Sequence, residues 1–214
     1  MNAGRKVAEK RLGRPPATDS GDTKRRILDI AREMFSVHGY EVATNRDIAS
    51  AAGITSGALY HYFGSKLDLY LAVHEDVQAG VYESFSNATM NLETFTEMFL
   101  AVLEVAHDMN ENDPSVARFV GAVRVDAQRH PEMAAAISPR STQREVFFTR
   151  LIDVGVKTGE IDEQQRSFAL AFLLTVLVGL TDAVSGDNAQ HKQAIEAIKM
   201  VMTGDLLRSP LPHA

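Results

Sequence analysis

The 214-residue sequence predicts an all-α protein, with an N-terminal three-helix unit of helix-turn-helix form and a larger C-terminal helical body, about nine helices in all. Three observations lead there. Apolar residues recur at i, i+3, i+4 and i+7 in one segment after another, the period of a half-buried helix. Hydroxyl, Asp or Asn residues open these segments, and Gly, Asn-Asp-Pro or His-Pro close them. The stretch Thr44–Lys66, TNRDIASAAGITSGALYHYFGSK, holds two such segments of barely two turns each, joined across Gly53.

Composition sets the outer limits. Hydrophobic residues make up 45% and charged residues 23%, which places the chain among ordinary globular proteins. The absence of cysteine excludes disulfides, thiolate metal sites and thiol redox switching. No apolar h-region follows the N-terminal charges, so no secretory signal is expected. The longest near-continuous apolar run, Phe168 to Leu180, falls short of the roughly 20 residues of a membrane span. A soluble cytoplasmic protein with no membrane partner is expected. The net charge of −6 is unevenly spread. Residues 1–66 carry 11 Lys+Arg against 7 Asp+Glu, and the remainder carries 11 against 21. A basic N-terminal part on an acidic body suggests one end for a polyanion and another for a different partner.

Residues 1–21 lack apolar periodicity and read as a flexible basic arm. Arg11-Leu12-Gly13-Arg14-Pro15-Pro16 has the composition of an extended arm for the narrow minor groove, where Arg14 would meet a strong negative potential. A solvated basic tail is the alternative. From Asp22 a helix is expected, with Ile27, Ile30, Ala31, Met34 and Phe35 on one stripe, Ser20 or Asp22 as its cap and Gly39 as a left-handed stop. Lys24, Arg25 and Arg26 sit in its first turn, the wrong end for the helix dipole, which a nearby phosphate or simple solvation explains.

Thr44-Asn45-Arg46-Asp47 opens the next helix, and Ile48, Ala49 and Ala52 face inward. Gly53 breaks it. Thr55 or Ser56 caps a second short helix of small and aromatic residues, closed by Gly64-Ser65 before Lys66 opens a longer one. Ser56, Gly57 and Ala58 are small enough to let a helix approach base edges closely. Tyr60 and Tyr62 are odd choices for a core, since a buried tyrosine needs a partner for its hydroxyl.

With these residues in view, the stretch resembles the DNA-binding domain of the TetR family of bacterial transcription regulators. The resemblance is carried by Ile27-Leu28, Ala31, Phe35, Gly39-Tyr40, Thr44, Ile48-Ala49 and Ala52-Gly53-Ile54. It ends with Gly57-x-Leu59-Tyr60-x-Tyr62-Phe63-x-Ser65-Lys66. The resemblance implies phosphate contacts from Thr44, Tyr60, Tyr62 and Lys66, and base or backbone contacts around Arg46, Thr55, Ser56, Gly57, Ala58 and His61. It makes Ile27, Ala31, Phe35, Ile48, Ala49, Leu59 and Phe63 core. The reading helix has no Arg, Gln or Asn for bidentate base contacts, so the operator sequence is not legible in it.

The helix from Lys66 to about Phe85 would link head and body, and in the family it carries the switch. Further helices are expected at about 92–109, 115–129, 132–137, 140–157, 162–185 and 188–207. The starts of the last two are assigned to Asp162 and Asn188. This divides the chain into the arm 1–21, a DNA-binding domain 22–66 and a ligand-binding and dimerisation domain 67–214. Segment 162–185 is apolar around most of its circumference and must be covered on several sides. With 188–207 it would form a four-helix interface with a second copy, as in the family, through Phe168, Val176, Leu180, Ile195, Ile198 and Met202. Seven of the ten phenylalanines lie between 95 and 172. By the resemblance a ligand cavity lies among these helices, which offers Phe95, Phe99, Phe119, Val123, Phe147, Phe148, Leu151 and Phe172 as an apolar lining. Arg124 and Thr175 would be its polar contacts; ordinary core packing is the alternative for each.

No His-rich metal pair, phosphate loop or nucleophile elbow occurs, so no metal, cofactor or catalytic residue is expected. The expected function is a homodimeric repressor, not an enzyme, that binds a near-palindromic double-stranded DNA operator and is released by a small apolar effector. A regulator controlled by a protein partner and an enzyme with an appended DNA-binding head are the competing readings.

Overall fold

The computed structural model describes residues 18–140, 142–183 and 187–204. Ten α-helices lie among them: α1 (Thr18–Val42), α2 (Asn45–Ala51), α3 (Ser56–Tyr62), α4 (Lys66–Thr89), α5 (Phe95–Asn112), α6 (Pro114–Arg129), α7 (Pro131–Ile137), α8 (Thr142–Thr158), α9 (Arg166–Ala183) and α10 (Asn188–Thr203). The all-α class and the N-terminal helix-turn-helix are as the periodicity requires.

Local chemistry sets most boundaries, and some differ from the sequence reading. α1 starts at Thr18, ahead of the expected cap at Ser20 or Asp22. Gly39, with φ 72° and ψ 174°, breaks it, and one further turn runs to Val42. Thr44, Thr55, Ser65 and Thr94 each accept the backbone N–H three residues on, capping α2, α3, α4 and α5. α5 therefore starts at Phe95, later than expected. Asp162 caps a single 3-10 turn at Glu163–Gln165, and α9 starts only at Arg166. The cap of α10 is Asp187, whose carboxylate accepts from Ala189 and Gln190, so Asn188 is already helical.

Two apolar clusters hold the chain together. The first gathers Ile27, Ala31, Phe35, Ile48, Ala49, Leu59 and Phe63 with Leu69, Tyr70, Phe119 of α6 and Met133 of α7. The seven core positions implied by the family resemblance are all buried. The second cluster joins Phe85, Phe95, Met98, Phe99, Leu103, Phe147, Phe148 and Leu151 with Leu173, Leu180 and Ile195. Where α8 turns toward α9 the packing is closest. A Cβ on Gly155 would lie 2.5 Å from Ile161 Cδ1 and 3.0 Å from Phe95 Cβ. Beside it the Glu160 carboxylate accepts from the N–H groups of Phe95 (2.6 Å) and Thr96 (3.1 Å), tying down the first turn of α5.

Val81 of α4 packs against both clusters, and a buried carboxylate, Asp126 of α6, sits within the first. This carboxylate is 4% exposed. Its Oδ2 accepts from the Tyr70 hydroxyl at 2.8 Å and from the Tyr40 N–H at 3.1 Å. The break at Gly39 frees the Tyr40 N–H from the helix ladder, and Asp126 takes it up. Tyr40 also packs edge-on against Tyr70 (5.2 Å) and His130 (5.2 Å). The end of α6 thus grips the end of α1.

Candidate nucleic-acid interface and the cavity behind it

α2 and α3 are joined by Gly53, whose φ of +67° only glycine adopts without strain. The Gly53 N–H donates to Ser50 O and the Ile54 N–H to Ala49 O, which ends α2 tightly. Arg26 of α1 braces this corner by donating to Ala52 O at 3.1 Å. Leu59 and Phe63 anchor α3 from below. The opposite side of α3 presents Gly57, His61 and Tyr60, the last 52% exposed, with Ser56, Ala58 and Tyr62 half-buried beside them. Arg46 on α2 is exposed as well. An exposed tyrosine between small residues on a rigidly backed helix is a surface shaped for contact.

The capping hydroxyls differ in what they have left to give. Thr44 donates to Asp47 Oδ2 at 2.6 Å, and Ser65 donates to Asp68 Oδ2 at 2.8 Å. Thr55 accepts from Ala58 N–H at 3.1 Å, but no acidic residue follows it in the helix, so its proton is free for an outside acceptor. Lys66 is half-buried. Its Nζ lies 4.4 Å above the Tyr40 ring and donates to Glu41 O at 3.1 Å, and burial lowers its pKa. Arg14 lies outside the described residues.

Behind the head, α4, α5, α6, α8, α9 and α10 enclose a cavity of about 180 Å³. Of the ten pocket residues expected from the sequence, only Phe148 lines it. Phe99, Phe119 and Leu151 are fully packed in the core, and Val123 packs against the first cluster. Phe147 faces a groove between α4 and α8, and Phe95 and Phe172 face another below α9. Arg124 is ion-paired with Asp182, and the Thr175 hydroxyl donates to Ala171 O on its own exposed helix face. Periodicity gave the buried sides of these helices correctly but not which buried side adjoins empty space. The lining instead includes Gln78, Tyr82, Asn110, Arg144 and His191. His191 stacks on His107 with Nδ1 atoms 3.3 Å apart, and burial, with His107 next, lowers its pKa.

α9 has a narrow buried seam, Leu173 and Leu180, and a wide uncovered apolar side. Phe168 is 74% exposed, and Leu170, Phe172 and Val178 are exposed too, as are Met200 and Val201 of α10. Of the expected interface residues, Leu180 and Ile195 are buried within the subunit, while Val176, Ile198 and Met202 are half-buried. The stretch Glu163–Asp182 is long and apolar enough to cross a membrane by length and composition. Yet its ends are tied by ion pairs, Arg166 to Asp153 and Asp182 to Arg124, and it packs on α6 and α8.

The family model described as "Bacterial regulatory proteins, tetR family" matches residues 27–73. The HTH-type transcriptional repressor KstR2 of Rhodococcus jostii is 32% identical over 154 residues, 68% of this chain and 72% of that one. The chain belongs to the TetR family. It is a DNA-binding, helix-turn-helix transcription regulator. The TetR match runs from α1 into α4, so the cavity-lining helices from α5 onward lie beyond it. Similarity continues there: the regulator UidR of Escherichia coli is 24% identical over 194 residues, 90% of this chain and 97% of its own. Among solved structures, FadR of Bacillus subtilis in complex with stearoyl-CoA shares the fold with a TM-score of 0.70 at 20% identity, over 81% of this chain and 96% of that one.

Proposed function

We propose that two copies of this chain form a repressor that binds a near-palindromic operator and leaves it when a small, largely apolar effector fills the cavity. The observation that carries this is the uncovered side of α9. Each large apolar side chain left in water forgoes about 1.5–3 kcal/mol of burial. A second copy would cover Phe168, Leu170, Phe172 and Val178 with the same face, as a two-fold interface requires. Residues 22–66 would then read DNA, the arm with Arg14 would add minor-groove contacts, and 67–214 would bind effector and partner copy. Two α3 helices would enter successive major grooves about 34 Å apart. Within α3 and its cap, Thr55, Ser56, Gly57, Ala58, Tyr60, His61 and Tyr62 would meet the DNA, joined by Thr44, Arg46 and Lys66. A cytoplasmic location follows from that role.

An effector reading is supported by a cavity bounded by α4, the helix that also begins at the head. An effector preferring one body geometry shifts DNA affinity by its differential binding, typically about 1–3 kcal/mol. Sedimentation of the intact protein, with DNA selected from a random pool, tests the proposal. A dimer at micromolar concentration and two-fold symmetric sites are expected, with Phe168→Glu giving monomers of weak affinity. A monomeric chain that binds single half-sites would overturn it.

A further inference from the structure

The cavity wall supplied by α4 and α8 differs chemically from the rest. His74, Gln78 and Tyr82 fall at i, i+4 and i+8 on α4 and share one face. Gln78 and Tyr82 line the cavity, and from α8 so do Arg144 and Phe148, one turn apart. The opposite walls are mostly apolar, with Ala106, Met109, Val120 and Leu177; their polar groups include Asn110, whose amide donates to Asn188, and His191, which pairs with His107. Phe85, Phe147 and Phe148 hold the Tyr82 ring at centroid distances of 5.9, 5.8 and 6.0 Å. Neither the Tyr82 hydroxyl, nor the Gln78 amide, nor the Arg144 guanidinium has a hydrogen-bond partner among the described residues. Burial pushes the Tyr82 phenol up, and Arg144 is the charge near enough to oppose that. Arg144 is exposed, so its charge sits at the rim.

The half-buried Tyr82 hydroxyl and Gln78 amide give up part of their hydration beside the apolar space, a cost that a ligand oxygen offsets, while Arg144 stays hydrated at the rim until a ligand pairs with it. A guanidinium fork, a hydroxyl and an amide match the two oxygens of a carboxylate. A volume of about 180 Å³ is about six times the share of one liquid water molecule, about 30 Å³, which suits a short chain or compact ring.

We propose that the cavity takes an amphiphilic monocarboxylate, its acid group on Arg144, Tyr82 and Gln78 and its apolar part between α5, α6 and α9. The proposal rests on reading the cavity as the effector site. Calorimetric titration of the full chain with octanoate, octanol, octylamine and octanoyl-CoA tests it, with release of the selected operator measured in parallel. Octanoate binds about tenfold or more tighter than octanol or octylamine, as a charge-assisted pair requires. Arg144→Gln brings octanoate down to the octanol level and leaves octanol binding unchanged. Tyr82→Phe lowers octanoate binding alone. An unchanged octanoate-to-octanol ratio in Arg144→Gln overturns the proposal, as does binding of octanoyl-CoA without octanoate, or no binding of any probe. The effector reading fails separately, if octanoate binds with this selectivity and the operator stays bound. It survives alone if octanol releases DNA as well as octanoate does.

Discussion

Replacing Asp126 with alanine tests whether the end of α6 grips the head as described. The carboxylate Oδ2 accepts two hydrogen bonds from buried donors, the Tyr70 hydroxyl and the Tyr40 N–H. Asp126→Ala leaves both donors without a partner in a site closed to water. Each unsatisfied donor costs about 1–3 kcal/mol, and the lost bonds were to a charged acceptor, so a loss of about 3–5 kcal/mol is expected. Urea unfolding followed by circular dichroism measures it. Tyr70→Phe removes one of the two donors, and the double variant closes a cycle. The cycle should give a coupling of about 1–2 kcal/mol, because Tyr70→Phe spares the double variant one orphaned hydroxyl. A loss below about 1 kcal/mol for Asp126→Ala, or a coupling of zero, would refute the grip.

Three further outcomes are expected. Tyr60→Ala should weaken operator binding at least about tenfold in a mobility-shift assay while shifting stability by under about 0.5 kcal/mol, since its side chain is half in water and supports no core contact. Gly155→Ala should destabilise the chain by about 1–3 kcal/mol in thermal unfolding, because its Cβ would overlap Ile161 and crowd Phe95. Burial, aided by Arg144 and Arg140, pushes His74 from 6.5 down to about 4. The unfolded chain takes up a proton that the folded one excludes. Stability is therefore whole above pH 6.5 and declines as pH falls toward 4, by at most about 3 kcal/mol, and His74→Gln should flatten that decline.

The head was legible because its signals are local. A cap lies three residues from the N–H it accepts, and Gly53 marks its own turn. The grip of Asp126 was not legible, since its donors lie 56 and 86 residues away. One signal was available: Phe119, Val123 and Asp126 fall at i, i+4 and i+7, so a charge sits on an apolar stripe. The lining of the cavity was not legible for a different reason. Phe99, Phe119 and Leu151 are as buried as expected, but a packed phenylalanine and a cavity-facing one share the same period. The polar lining from Gln78, Tyr82 and Arg144 depends on how α4 and α8 face each other, which no single helix encodes. On α9 the apolar excess was visible, but Leu180, and Ile195 of α10, face inward because they pack with Leu173 into the second cluster.

Glu160 also sets an order in time. It completes the first turn of α5 from 65 residues further along the chain. At synthesis rates of about 5–20 residues per second, Phe95 emerges roughly 3–13 s before the residue that caps it. Over that interval α5 has Thr94 and its Glu97 pair, but no acceptor for the N–H of Phe95. The nascent head is equally early, since Tyr70 is made before Asp126. A ribosome stalled before residue 126 therefore holds a reading head whose aromatic centre is still open, and the body has to be translated before the head is finished.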